Sequence, residues 1–307
     1  MKKFVLKKEE PAIRAADYNI PYADILNEQQ LKAVFFDKGS ALVIAGAGTG
    51  KTRTLIHRVA RLVESRVNPS NILLLTFTRR AASEMINRAS SILDERCKQI
   101  KGGTFHYYCS QILHRYAERI GFPENFTIID TADSLEVIQH VRGRLKLNKK
   151  EKRFPNKSTL LKMISTAKNK HLDLKVVLGN GYPQFIEQID AIEDVWEGYE
   201  QYKHQNYVMD FDDLLIKSRD LLSKNDDIRI KVAANNEYLM VDEYQDTNRL
   251  QAELTALFSS VHCNVMAVGD DAQSIYSFRG ADHQNIMQFP DLFKNTTVIK
   301  LEENYRS

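Results

Sequence analysis

A chain of 307 residues with 43% hydrophobic and 27% charged side chains has globular composition and length for about two domains, which excludes global disorder, a fibrous repeat and a peptide-sized scaffold. Lys and Arg number 43 against 40 Asp and Glu, a net charge of +3, so any basic surface must be local. No apolar run approaches the roughly 18 to 20 residues of a membrane helix, and Phe4-Val5-Leu6 between lysines is too short for a signal-peptide core. The expected location is the cytoplasm, without membrane partners. Cys97, Cys109 and Cys263 are odd in number and lack CxxC spacing, which reads as reduced packing residues rather than a disulfide framework or a zinc site.

In chain order, short apolar runs recur at Ala41–Ile44, Ile72–Leu75, Tyr238–Val241, Val265–Val268 and Val298–Ile299, as strands buried on both faces of a parallel sheet require. Leu55, Val59, Leu62 and Val63 repeat at helical spacing between the first two, matching a crossover helix. The predicted fold class is therefore α/β. From Cys109 to Asn206 helical patterns dominate, which predicts an inserted helical subdomain over 109–206 between two parts, 1–108 and 207–307, of one sheet-bearing domain. Within it, residues 142–175 hold twelve Lys or Arg against Glu151 and Asp173, while 182–213 hold nine acids against Lys203. The asymmetry reads as solvated helix faces that partly neutralise each other.

Ala45-Gly46-Ala47-Gly48-Thr49-Gly50-Lys51-Thr52 lies between the first strand and the first amphipathic helix. Its glycines let the backbone bend close to a polyphosphate, and the helix N-terminus adds unpaired N–H groups. Lys51 would meet the β and γ phosphates of ATP and Thr52 would ligate Mg²⁺. Ala45 departs from the strictest pattern at its first glycine. A metal carboxylate and a group to activate water could both lie after Val241, with Asp242 holding the Mg²⁺ hydration shell and Glu243 orienting or deprotonating the water. After Val268, the stretch Gly269 to Gly280 crowds an amide, aromatics and an arginine together. Gln273 could contact the γ-phosphate, while Tyr276, Phe278 and Arg279 offer faces for stacked bases.

These motifs form an ordered set that resembles the UvrD/Rep/PcrA group of superfamily 1 DNA helicases. The set comprises Leu26-Asn27-Glu28-Gln29-Gln30, the phosphate loop, Thr76-Phe77-Thr78-Arg79-Arg80-Ala81-Ala82, Gly103-Thr104-Phe105-His106, Asp210-Phe211-Asp212-Asp213-Leu214, Val241 to Asp246, the Gly269 to Gly280 loop, and Glu303-Asn304-Tyr305-Arg306-Ser307. The resemblance implies a RecA-like motor domain interrupted by a helical domain. It assigns adenine reading to Gln30, a sandwich of the ring to Arg53 and Tyr305, and charge stabilisation at the γ-phosphate to Arg306. Phe77, His106, Phe211, Tyr276, Phe278 and Arg279 would line a single-strand DNA track, although on residue type alone Phe77 and Phe211 suit a core better than a ligand-facing position.

The sequence departs from the family pattern at Arg79-Arg80, where Asn-Lys is usual, at Tyr107, where Ser is common, and at Phe278, which replaces Trp. The resemblance also implies a second RecA-like domain beyond Ser307 as a partner, so the chain reads as an N-terminal part that alone would hydrolyse ATP hardly at all and not unwind. The implied activity of the whole is ATP-driven 3′-to-5′ translocation on single strands and at single-strand/duplex junctions in repair or replication. Rival readings are a helicase-nuclease subunit of the RecB/AddA kind and a nucleotide-gated DNA-binding module. A P-loop kinase leaves the last two motifs unexplained.

Overall fold

The computed structural model describes residues 18–147, 154–270 and 284–305. Six strands, β1 (Ser40–Ala45), β2 (Ile72–Leu75), β3 (Lys101–Gly103), β6 (Tyr238–Val241), β7 (Val265–Gly269) and β8 (Thr297–Leu301), form one sheet in the order β3-β2-β6-β7-β1-β8, parallel at every pairing. The five apolar runs expected as strands are all present. β3 is an addition, because Lys101-Gly102-Gly103 carries no hydrophobic signal.

Alternation along each strand divides the core in two. Leu42, Leu73, Leu75, Leu239, Val241 and Ala267 enter one hydrophobic cluster, with helices Phe105–Tyr116, Phe211–Lys224 and Arg249–Phe258 covering it. Val43, Ala45, Leu74, Met240, Met266 and Val268 enter the other, beneath helices Lys51–Glu64 and Arg79–Ile92. Leu55, Val59, Leu62 and Val63 all lie in that second cluster, as the crossover-helix reading requires. The result is an α/β sandwich of helices on both faces of a parallel sheet, consistent with a RecA-like domain.

A third cluster runs from Ile129 to Tyr199 and is built from helices Thr131–Arg144, Lys157–Lys170, Leu174–Gly181 and Ile189–Gln205. Cys109, Ile112, Leu113, Phe122 and Phe126 belong instead to the first sheet-side cluster. Two short strands, β4 (Thr127–Ile128) and β5 (Val208–Met209), pair in parallel and fasten the entry of the helical body to its exit. The basic and acidic runs meet inside it. Lys168 lies 2.8 Å from both Glu200 and Asp213, and buried Lys203 lies 2.7 Å from Asp210 and 2.6 Å from Asp213.

Helix starts follow capping chemistry. Asn27, Asp130, Asp210 and Asn248 each form a reciprocal box with the side chain three residues on, an arrangement in which the cap alone stabilises a helix by about 1 kcal/mol. Among the described residues no helix is long and apolar enough to cross a membrane.

Candidate nucleotide and nucleic-acid site

The strand order decides where chemistry can sit, because loops at the carboxyl ends of neighbouring parallel strands converge. β6, β7, β1 and β8 are neighbours, so Asp242, Asp270, the phosphate loop and Tyr305 meet at one end of the sheet. β2 and β3 carry Phe77 and His106 to the same edge, beside them.

Gly50 closes the phosphate loop in a left-handed conformation, φ +88°, and helix Lys51–Glu64 starts at the next residue. A Cβ on Gly50 would lie 2.7 Å from Gln30 Nε2, so only glycine admits this approach. Gln30 is fully buried, accepts from the Asn27 N–H at 3.3 Å and donates to the Thr49 carbonyl at 3.1 Å. Its amide therefore holds the loop in place as well as standing beside it. Buried Arg58 on the same helix donates to the carbonyls of Ala33, Val34 and Phe36. That clamps the end of helix Glu28–Val34, which carries Gln30. Burial pushes the Arg58 guanidinium down to about 9.

The Lys51 ammonium lies 3.4 Å from Asp270 Oδ2 and 3.7 Å from Glu243 Oε2. Glu243 adopts φ +49°, a conformation that costs a non-glycine residue about 1 kcal/mol. Buried Gln245 joins the groups: its Nε2 donates to Glu243 at 2.7 Å, and its Oε1 accepts the Asp270 N–H at 3.0 Å. Gly269 leaves room for this amide, since a Cβ there would approach Gln245 Oε1 to 2.7 Å.

Asp242 is fixed by its N–H donating to Leu75 O at 2.9 Å. Its Oδ1 is buried without a hydrogen-bond partner. Burial, and then the charge of Glu243, push its carboxyl up to about 7. An unmatched buried oxygen on a carboxyl that resists ionisation is what a divalent cation would satisfy. Thr52, the second residue of the phosphate-loop helix after β1, offers a hydroxyl at the same end of the sheet. Among the described residues no group of three or more His, Cys, Asp or Glu side chains could hold a metal ion by itself, so a metal bound here would be one shared with phosphate oxygens.

Tyr305 reaches over the loop from β8. Its N–H donates to Gly48 O at 3.0 Å, and its hydroxyl bridges Asn27 at 2.8 Å and Glu303 at 3.0 Å. Arg53 donates to Ile25 O at 2.5 Å. Thus Gln30, Ala45 to Arg53, Asp242, Glu243 and Tyr305 gather at one end of the sheet, while Gln273, Tyr276, Phe278, Arg279 and Arg306 lie outside the described residues.

Phe77 and Phe211 are 53% and 47% exposed, which sets aside the core reading that their residue type allowed. His106 meets Phe211 edge to face, ring centres 6.0 Å apart. Burial lowers the His106 imidazole despite nearby Asp212, so it presents a neutral ring at pH 7. Phe77 and His106 share a cleft of about 140 Å³ with Asp242 and Glu243. Two departures from the family pattern touch: the Arg79 guanidinium sits 4.7 Å over the Tyr107 ring. Sequence reasoning did not place Asp270, Gln245 and Asn27 in the site. For Asp270 a signal existed, a carboxylate directly after an apolar strand, but Asp271 beside it offered the same one.

A glycine-rich loop between the first strand and its helix, with a lysine facing strand-end carboxylates, defines a P-loop nucleotide-binding protein. Residues 26–294 match the UvrD/REP helicase N-terminal domain, and the chain belongs to that family. It is 42% identical over 286 residues to the ATP-dependent DNA helicase PcrA of Bacillus subtilis and 40% identical over 283 residues to that of Staphylococcus epidermidis. Staphylococcus aureus PcrA is 38% identical over 283 residues. Each match covers 92% of this chain, and the chain spans 38% of each relative's length.

Proposed function

We propose that this chain is the ATP-binding and single-strand-DNA-binding part of a DNA helicase that couples ATP hydrolysis to 3′-to-5′ movement along DNA and unwinding at single-strand/duplex junctions. The observation that carries the reading is the shared cleft, in which Asp242 and Glu243 of the nucleotide side line the same space as Phe77 and His106 of the DNA side. A strand pressing on Phe77 and His106 displaces walls that also position the carboxylates, which gives DNA a direct route to the ATPase.

Lys51 would exchange its carboxylate partners for the β and γ phosphates of ATP, and the loop N–H groups would hold the phosphate oxygens. Thr52 and Asp242 would hold magnesium, which when bound neutralises charge on those oxygens. Glu243, oriented by Gln245, would take the proton of the attacking water. Gln30 and Tyr305 would bound the adenine pocket with Arg53, while Gln273 and Arg306 would reach the γ-phosphate. Phe77, His106 and Phe211, with Tyr276, Phe278 and Arg279, would stack bases without reading sequence. We place the helical body from Ile129 onward as a separate subdomain beside this track. A groove of about 640 Å³ between it and Phe211 is lined by Lys162, Lys170, Asn169 and Asn248 together with Asp210 and Asp212, so a strand path there would run along its lysine side.

The test is titration with a fluorescent ATP analogue, with and without oligothymidine. Magnesium-dependent binding that shifts when the oligonucleotide is added is expected. Nucleotide affinity indifferent to DNA in every condition would overturn the coupling.

A further inference from the structure

The edge of the sheet beside β3 carries features that the nucleotide site and the Phe77–His106–Phe211 track do not use. Two adjoining hollows, about 170 Å³ and 370 Å³, share Lys101, Tyr108 and Gln111. The smaller reaches Gly103 and Tyr107, next to His106; the larger ends at Arg115 and Lys231. No carboxylate lines either hollow.

Lys101 is the centre of this groove. Its Nζ donates to Asn235 O at 2.5 Å and Asn236 Oδ1 at 2.7 Å, both neutral acceptors. Burial pushes the ammonium down to about 8. An ammonium has three donors, and a partly buried cation without an anion is costly. Among the described residues, neither Arg115 nor Lys231 forms an ion pair, and both are exposed at the rim.

Aromatic faces accompany the cations. Tyr107 lies under the Arg79 guanidinium and is held by Gln111 Nε2 donating to its hydroxyl at 3.0 Å. Tyr116 lies beside Arg115, 5.9 Å from guanidinium carbon to ring centre. Cations that find no carboxylate, interleaved with half-exposed rings, match a ligand made of phosphates and flat bases.

We propose that this groove is a second single-strand subsite, in which Arg79 and Tyr107 stack a base and Lys101, Arg115 and Lys231 take the backbone phosphates of a strand continuing past His106. The assignment rests on the DNA-binding reading above. The groove opens from the His106 end of β3, so one strand can occupy track and groove together. Its contribution is additive length: nucleotides beyond those on the track gain further phosphate contacts.

The experiment measures fluorescence anisotropy of oligothymidines lengthened one nucleotide at a time, at several salt concentrations. The protein is compared with Arg115→Gln/Lys231→Gln, a pair of exposed positions that leaves the fold intact, and with the triple variant that adds Lys101→Gln. The shortest oligonucleotides should bind all three proteins alike. With length, the unsubstituted protein should gain about tenfold in affinity that both variants lack. The logarithmic salt slope should fall by about 1.4 in the double variant and about 2 in the triple, at about 0.7 for each phosphate contact on a single strand. Tyr107→Ala should remove part of the length gain while keeping the salt slope. Identical length profiles and slopes in all proteins would overturn the subsite. Thymidine monophosphate that displaces the longer strands' extra affinity at equal concentration would also overturn it, in favour of a free-nucleotide site. If no oligonucleotide binds the unsubstituted protein, the DNA-binding reading itself fails, an outcome distinct from loss of the length gain alone.

Discussion

Lys51 and Asp270 form an ion pair at 3.4 Å with side chains only 11% and 1% exposed, so the ammonium at the end of the glycine-rich loop is held by the carboxylate that follows β7. Glu243 lies 3.7 Å from the same ammonium. The three groups tie the ends of β1, β6 and β7 into one electrostatic unit. On the proposed function, an entering polyphosphate would replace these carboxylates as the ammonium's partner, which would give the loop a way to sense occupancy.

Lys51→Ala should therefore erase the preference for ATP over adenosine. Hydrogen bonds to charged groups contribute about 1.5 to 3 kcal/mol each, so one or two lost contacts weaken ATP about a hundredfold. Competition titration of a fluorescent ATP analogue with ATP and with adenosine measures it. Unchanged ATP affinity in a folded variant sinks the phosphate-loop assignment.

Glu243→Gln should keep ATP binding within about threefold and cut turnover at least about a hundredfold, because an amide can hold the water but accepts its proton poorly. The substitution retains an oxygen for Gln245, which donates to Glu243 at 2.7 Å, so the loop geometry should survive. Single-turnover hydrolysis with oligothymidine present, in the intact helicase of which this chain is proposed to be part, is the measurement. Parent-like turnover moves water activation to another group.

Lys203→Met should destabilise the protein by about 3 to 5 kcal/mol, the usual cost of removing one partner of a buried ion pair. Lys203 is 2% exposed and bonds Asp210 and Asp213. Burial alone would raise the Asp213 carboxyl, but the ammonium groups of Lys203, Lys168 and Lys217 overcome it and hold it well below the usual carboxylate range. A depressed carboxylate contributes stability above its unfolded value of about 4 and loses it as the pH falls through the folded value. Acid unfolding should thus begin at higher pH in the variant. Urea melts at pH 7 and an acid titration check both, and an equally stable variant would show that the cluster carries no net stability.

Parallel strands that are buried on both faces announce themselves as apolar runs, which is why β1, β2, β6 and β7 were legible; the edge strand β8, with Val298 46% exposed, showed only the short run Val298–Ile299. β3 was not, because Gly102 and Gly103 leave the space that Ile86 and Tyr107 fill. Their packing comes from neighbours, not from the strand's own side chains. The phosphate loop, Asp242 and Glu243 stood out because their chemistry needs fixed residue types beside strand ends. Gln245 and Asn27 stayed hidden, since an amide that orients a neighbour has the same local pattern as any polar loop residue. Helix Phe105–Tyr116 was split by the boundary expected at Cys109, because its apolar stripe fits a sheet or a helical bundle; the fold places Cys109 and Ile112 against the sheet.

Phe211→Ala should weaken single-strand binding while leaving the fold and the salt dependence unchanged. Phe211 opens helix Phe211–Lys224, but the cap belongs to Asp210, whose carboxylate accepts the Asp213 N–H at 2.8 Å. Its ring is 47% exposed and meets His106 edge to face, so truncation removes little buried area. Loss of one stacked base costs about 1 to 3 kcal/mol, or roughly five- to 150-fold in affinity. No phosphate contact is lost, so the slope of affinity against salt should match the parent, unlike a lysine or arginine substitution. Phe77→Ala, 53% exposed across the shared cleft, should weaken DNA binding in the same way and also blunt the response of nucleotide affinity to DNA, because its ring shares a wall with Asp242 and Glu243. Anisotropy titrations with oligothymidine at graded salt, repeated with the fluorescent ATP analogue present, separate the two effects. If Phe77→Ala binds DNA weakly yet keeps full nucleotide coupling, the cleft does not carry the signal, and the route from DNA to the carboxylates must run through other residues.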